Sequence, residues 1–243
     1  MTAELFRALH HVRPGGTPLV LPNAWDPVSA RLVADAGFAA VATSSGAVAR
    51  VLGYDDGQLT PPATMFAAVG RIARAVDVPV TADMEAGYGL APKEFAERLL
   101  EAGVVGCNLE DSVGGELIDV AQQADYLAEV RAAAGAELVI NARVDTFVLQ
   151  LDETMDGAVD EAVRRGREYR RAGADCVYPI LAPLDQLKLV AEAVGGPING
   201  HAMVAGPAAA ELAAAGATRI SYGTSVHAYL MDQLRDLLPK LTA

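Results

Sequence analysis

The chain has 243 residues, 52% of them hydrophobic, which is enough to bury a substantial core within one large α/β domain. Its 31 acids outweigh 19 bases, a formal charge of -12, and the bases stand singly. That balance excludes a field that gathers nucleic acid or an anionic membrane, and points to work on a small molecule.

The first dozen residues, MTAELFRALHHV (1–12), lack an apolar signal core and predict a short helix closing the bottom of the fold. Strand-type runs then recur: PLVLPNAW (18–25), AAVATSS (39–45), PVTADME (79–85), GCNLEDS (106–112), LVINARVDTF (138–147), CVYPILA (176–182), PINGHA (197–202) and RISYGTS (219–225). Between them lie stretches rich in Ala, Leu, Glu and Arg. Four share one phrase, a Gly after a helix with an apolar run behind it: ADAGFAAV, LEAGVVGC, RRAGADCV and AAAGATRI.

Helix, left-handed Gly, short turn and buried parallel strand, repeated eight times, predict a single (β/α)8 TIM barrel over 1–243, with residues 225–241 as the last outer helix. An open doubly wound sheet is the alternative, but no G-x-G-x-x-G follows an early strand. Cys107 and Cys176, the only cysteines, sit in apolar runs and predict reduced, buried thiols of a cytoplasmic protein. The longest uncharged run, Ala193 to Ala210, is interrupted by Gly, Pro, Asn and His, so no membrane span is expected.

In such a barrel the chemistry sits at the carboxyl ends of the strands, and there the sequence stops reading as core. The third strand candidate ends on Asp83 and Glu85, whose i, i+2 spacing predicts two carboxylates on one face. The fourth ends on Glu110 and Asp111, with Asp111 directed away from Glu110. The fifth carries Asn141, Arg143 and Asp145, the last read as a cap or a support for Arg143. Carboxylates gathered at one mouth repel unless a cation neutralises them, and oxygen ligands without His or Cys favour Mg²⁺ first and Mn²⁺ second. Helix caps and surface ion pairs are the ordinary alternative for any one of these acids.

The segments LPNAWDPVSARLVADAGF, TSSGAVA, LGYDDGQ, TADMEAGYG, NLEDS, NARVDTF and REYRRAGAD, in this order and spacing, resemble the isocitrate lyase and phosphoenolpyruvate mutase superfamily over nearly the whole chain. The resemblance implies a Mg²⁺-dependent barrel acting on 2-oxo acids, or compounds that release them, through a pyruvate enolate. By that resemblance Asp83 approaches the metal most directly, while Glu85, Glu110 and Asp56 hold water on it. Ser45, Gly46 and Ala47 form the turn that grips the substrate carboxylate, and Arg143 contacts the substrate and its developing negative charge. It also implies a homo-oligomer, dimer or tetramer, in which relatives exchange the last helix; the short tail after the eighth strand weighs against that exchange here.

One departure is specific. Isocitrate and methylisocitrate lyases carry a Lys-Lys/Arg-Cys-Gly-His lid after the strand-four glutamate, whereas this segment reads EDSVGGELIDVAQQ, without Cys or His. Candidate bases in its place are His201, Tyr54, Tyr88 and Glu116, with Asn199 two residues before His201 as a substrate contact. Trp25 is expected either to close one side of the pocket or to be a core aromatic beneath it, and Asp26 to cap the helix at Pro27. No Lys or Arg lies between Arg98 and Arg131, which disfavours phosphoryl transfer. The reading is a carbon-carbon lyase on a 2-oxo acid or a 2-hydroxy di- or tricarboxylate. Phosphonopyruvate hydrolase or mutase chemistry, and a non-catalytic oxo acid binder, are the alternatives.

Overall fold

The computed structural model describes residues 2–11, 16–149 and 155–241; the outermost residues of the expected domain and of its first helix, 1, 12 and 242–243, lie outside them. The chain runs α1 (Ala3–Leu9), β1 (Leu19–Leu21), β2 (Asn23–Ala24), α2 (Pro27–Asp35), β3 (Val41–Thr43), α3 (Ser45–Leu52), α4 (Pro62–Ala73), β4 (Val80–Asp83) and α5 (Pro92–Ala102). It continues β5 (Gly106–Glu110), β6 (Ser112–Val113), β7 (Glu116–Leu117), α6 (Val120–Ala134), β8 (Val139–Val144), α7 (Met155–Arg171), β9 (Cys176–Pro179), α8 (Leu184–Val194), β10 (Asn199–His201), α9 (Ala209–Ala214), β11 (Arg219–Ser221) and α10 (Ser225–Leu237).

Every expected strand run contains a strand, and apart from the β6–β7 hairpin all pairings are parallel. The strands are short and almost wholly buried, as befits a parallel sheet covered by helices. Their ladders form two sheets, β2-β3-β4-β5-β8-β9 and β1-β11-β10, rather than the single closed ladder expected. Pro22 explains one break: without an N–H it interrupts the first strand, whose β1 half pairs with β11 and whose β2 half pairs with β3. At the other junction an isolated parallel bridge joins Val177 to Ile198.

The four Gly phrases behave as expected. Gly37, Gly103, Gly173 and Gly216 follow their helices at φ 87, 82, 101 and 97, a region open to Gly at little steric cost. Asp26 caps α2, its carboxylate accepting from Ser29 N at 2.6 Å. At the amino ends of the strands α1 lays Phe6 against Gly106, where a Cβ would come within 2.8 Å of the ring. Arg7 pins that helix to Asp175 at 2.7 Å.

Three local features depart from the expectation. The second strand stops at Thr43, and α3 begins at Ser45. Two helices rather than one lead to β4. The segment after Glu110 forms the β6–β7 hairpin, turned by Gly114 and Gly115 at φ 61 and 85. Among the described residues no helix is long and apolar enough to cross a membrane.

Candidate active site

A cavity of about 350 Å³ opens at the carboxyl ends of the strands, with Asp83, Asn108, Arg143, Tyr178, His201 and Ser221 on its walls. The end of β4 sets its floor. Asp83 N donates to Thr43 Oγ1 at 2.9 Å, and Asp83 Oδ2 accepts from Ser45 N at 3.1 Å and Ser45 Oγ at 2.9 Å. The carboxylate therefore sits on the first turn of α3, where amides and helix dipole favour negative charge. Gly46 leaves room beside it: a Cβ there would lie 2.5 Å from Asp56 Oδ2. Burial raises the Asp83 pKa against the pull of Arg143 and of the Ser45 bonds.

Glu85 corrects the expectation of two acids on one strand face. Strand β4 ends at Asp83, and Glu85 lies beyond it in a left-handed turn at φ 48. Its carboxylate accepts from Gly57 N at 2.9 Å, Gln58 N at 2.5 Å and Tyr88 Oη at 2.7 Å. Burial raises its pKa, the Tyr88 bond opposes, and Asp56 and Asp83 add to the rise. The described non-glycine residues at positive φ are Gln58, Glu85, Tyr88 and Leu181, and all four belong to this region. Each such conformation costs about 1 kcal/mol or more, strain of a kind that collects at functional sites.

Arg143 is held on two sides. Its Nη1 meets Glu110 Oε2 at 2.6 Å, while Nε and Nη2 donate to Asp145 at 2.6 and 3.0 Å. Asp145 also accepts from Ser112 Oγ at 2.6 Å, and its N–H donates to Asp111 Oδ1 at 2.9 Å. Asp111, turned away from Glu110 as expected, accepts from Tyr169 Oη at 2.7 Å and Arg165 Nη1 at 3.1 Å. Of the two readings of Asp145, the support for Arg143 is the one found. Burial pushes the Glu110 carboxyl up, but the Arg143 guanidinium 2.6 Å away pulls against it, so the two remain an ion pair. Burial alone would weaken Arg143 as a base, but Glu110, Asp145 and Asp83 outweigh it and keep the guanidinium charged.

Asn108 was not singled out from sequence, although it stands two residues before Glu110 and so shares its face. Its Oδ1 accepts from Asn141 Nδ2 at 2.8 Å and Arg219 Nη2 at 3.0 Å. Arg219 can only donate, so the amide orientation is fixed and Nδ2 is left for the cavity. Tyr178 was also missed. The β8–β9 register puts it beside Arg143, and its Oη lies 2.5 Å from His201 Nδ1.

Of the residues expected at the site, Ser45, Asp56, Asp83, Arg143 and His201 line the cavity. Glu110 borders it through Arg143, and Gly46 and Ala47 lie in the first turn of α3 behind Ser45. Asn199 is buried one layer below, donating to Ser221 Oγ at 3.0 Å. Trp25 does not line the cavity and packs edge-on against His227 at 4.9 Å. Among the other candidate bases, Tyr88 is committed to Glu85, and Tyr54 and Glu116 lie exposed away from the cavity. Cys107 and Cys176 are buried thiols, each pushed up to about 12 by burial.

Among the described residues no three His, Cys, Asp or Glu side chains converge closely enough to hold a metal ion by themselves. The donors nevertheless suit Mg²⁺. That ion keeps most of its water and takes one or two carboxylates directly, and here half-buried Asp83 faces the cavity with the Asp56 carboxylate close enough to add to the rise of the Asp83 and Glu85 pKa values.

A parallel α/β fold with carboxylates and one clamped arginine at its strand ends defines an enzyme-like class of site. A profile of the family described as phosphoenolpyruvate phosphomutase matches residues 6–242. The chain belongs to that family, within the phosphoenolpyruvate mutase and isocitrate lyase superfamily.

An uncharacterized protein of Mycobacterium tuberculosis (strain H37Rv) is 33% identical over 220 residues, 90% of this chain and 81% of the relative. The oxaloacetate decarboxylase of Pseudomonas entomophila (strain L48) is 31% identical over 80% of this chain and 69% of its own length. Among solved structures, one from Burkholderia cenocepacia J2315, provisionally described as a phosphonomutase, has TM-score 0.90 and 40% identity over 98% of this chain and 99% of that one. The phosphoenolpyruvate phosphomutase of Streptomyces platensis subsp. rosaceus has TM-score 0.87 and 25% identity, covering 100% of this chain and 88% of that one.

Proposed function

We propose that the protein is a Mg²⁺-dependent carbon-carbon lyase whose two sheets work as one (β/α)8 barrel, with the cavity at its catalytic mouth. Strand one, shared across Pro22, and the Val177–Ile198 bridge support the barrel reading. Asp83 would be the direct metal ligand, with Asp56, Glu85 and Glu110 holding the ion through water, and Mn²⁺ could replace Mg²⁺. When bound, the ion supplies positive charge beside the carboxylate and carbonyl oxygens of a 2-oxo acid.

The chain's own residues do the rest. The first turn of α3, at Ser45, Gly46 and Ala47, receives the substrate carboxylate. Arg143, kept charged and aimed by Glu110 and Asp145, stabilises the negative charge that builds on the oxo oxygen as the carbon-carbon bond breaks. Asn108 Nδ2 offers a neutral donor to the same molecule. Asn199 supports the wall through Ser221. His201 moves the proton.

The observation that carries this reading over phosphoryl transfer is the cation inventory. Among the described lining residues Arg143 is the single Lys or Arg, and two carboxylates already engage it. Seven apolar residues between Tyr229 and Leu241 are exposed along the last helix and its tail, which supports a homo-oligomer. A cytoplasmic place fits a fold built without disulfides.

Product analysis tests the reading. Oxaloacetate, 2-methylisocitrate, 2,3-dimethylmalate, phosphonopyruvate and the monocarboxylate 4-hydroxy-2-oxoheptanoate are each incubated with Mg²⁺, and pyruvate and phosphate are measured separately. Pyruvate without phosphate is expected; phosphate release would make the protein a phosphoryl enzyme, and binding without turnover an oxo acid binder.

A further inference from the structure

Resting on the lyase reading, we infer that the substrate is a monocarboxylate: a 4-hydroxy-2-oxo acid with an apolar substituent, cleaved to pyruvate and an aldehyde. The first support is charge. Asp56 and Asp83 line the cavity, Arg143 is matched by Glu110 and Asp145, and His201 carries no charge at neutral pH because burial and Arg143 lower it to about 4. One substrate carboxylate has the α3 amides and a divalent ion. A second would meet acids and neutral groups with no described cation to receive it, and an unpaired charge taken out of water is strongly unfavourable.

The second support is the outer wall. Val148, Ile180, Leu181 and Met203 follow the ionic floor towards solvent, and Val148, Leu181 and Met203 remain 37%, 46% and 46% exposed. Three half-open apolar side chains at the rim of one cavity suit an alkyl or aryl group, which gains by leaving water there.

The third support is the Tyr178–His201 pair. Ser221 lies close enough to Tyr178 to pull its raised pKa back down, and Ser221 Oγ accepts from Asn199 Nδ2 at 3.0 Å. A His201 Nδ1–H directed at Tyr178 Oη completes that chain and leaves the Nε2 lone pair for the substrate. Gly223 makes the ring position accessible, since a Cβ there would come within 2.9 Å of His201 Cε1. In the step itself the 4-hydroxyl proton passes to His201 Nε2 and the C3–C4 bond breaks. Its electron pair stays on C3 as the pyruvate enolate, and C4–O becomes the aldehyde carbonyl. The proton on His201 is then delivered to C3, giving pyruvate, with no oxidant or reductant needed.

The test compares 4-hydroxy-2-oxoheptanoate with 4-hydroxy-2-oxoglutarate by pyruvate release with Mg²⁺, alongside exchange of the pyruvate methyl protons with D2O followed by NMR. The inference expects exchange, and kcat/KM roughly tenfold or more higher for the heptanoate. It also expects Met203→Arg, which puts a cation on the rim, to shift that ratio towards the glutarate. Exchange with equal or better cleavage of the dicarboxylate, or with cleavage of neither acid, overturns the substrate class and leaves the lyase reading standing. Absence of both exchange and cleavage overturns the lyase reading and the inference with it.

Discussion

Ser45 grips Asp83 twice, with its amide at 3.1 Å and its hydroxyl at 2.9 Å on the same carboxylate oxygen. The residue that ends β4 and the residue that starts α3 are thus locked together, so the proposed metal ligand and the proposed carboxylate-binding turn cannot drift apart. Catalytic geometry of this sort must hold to a fraction of an ångström, and a helix start and a strand end are rigid places to build it.

The clamp on Arg143 gives the first expectation. Asp145→Asn keeps the shape but removes the charge that both fixes and sustains the guanidinium. Turnover should fall about 10- to 100-fold while Mg²⁺ affinity, measured by calorimetry, changes far less. A matching loss of metal affinity with unchanged kcat would show that Asp145 serves the metal instead.

Asn108 gives the second. Asn108→Asp retains an acceptor for Arg219 and Asn141 but replaces the donor that faces the cavity. Thermal stability at or above wild type is expected, because Arg219 gains an anionic partner, together with a turnover loss of about tenfold or more. Unchanged kinetics would reduce Asn108 to a packing residue.

His10 gives a pH dependence remote from the site. Its Nδ1–H donates to Phe6 O at 2.8 Å and its Nε2 lies 3.2 Å from Arg219 Nη1; burial and that cation lower its pKa to about 3 from 6.5. The unfolded chain therefore binds the extra proton between pH 6.5 and about 3. The contribution of neutral His10 is fully present above pH 6.5 and is lost progressively as pH falls towards 3, by up to about 1.4 kcal/mol per pH unit. Wild type should lose stability to acid more steeply than His10→Gln in denaturant titrations, since the buried acids are common to both. Parallel curves would contradict the assignment.

The last helix gives the fourth. Leu230, Leu234, Leu237 and Leu241 recur at helical spacing and are exposed in the single chain. Light scattering should find an oligomer, and Leu234→Glu with Leu237→Glu should reduce it to monomer. A monomeric wild type would remove the proposed assembly.

Much of this was legible in the sequence because it rests on local chemistry. The four Gly phrases announced helix ends, the apolar runs announced buried strands, and Asp83, Arg143 and His201 followed from parity at strand ends. What was not legible depended on backbone torsion and register. Glu85 leaves the strand through a left-handed turn that no i, i+2 rule anticipates. Tyr178 joins the site only because β9 pairs with β8 in a register that sets it beside Arg143. Trp25 could be read as pocket wall or core until His227 was found against it. Pro22 was in plain view, yet its consequence, one strand divided between two sheets, needed the pairing partners.

In the proposed mechanism Asp83 holds a divalent ion whose charge, with that of Arg143, drives carbon-carbon cleavage. The most direct measurement is pyruvate release by wild type and Asp83→Ala, each with Mg²⁺ and with EDTA, with circular dichroism to confirm that both are folded. Chelator-sensitive pyruvate is expected from wild type, with a loss of about 10²-fold or more in the folded variant. Equal, EDTA-resistant rates from the two proteins would contradict it.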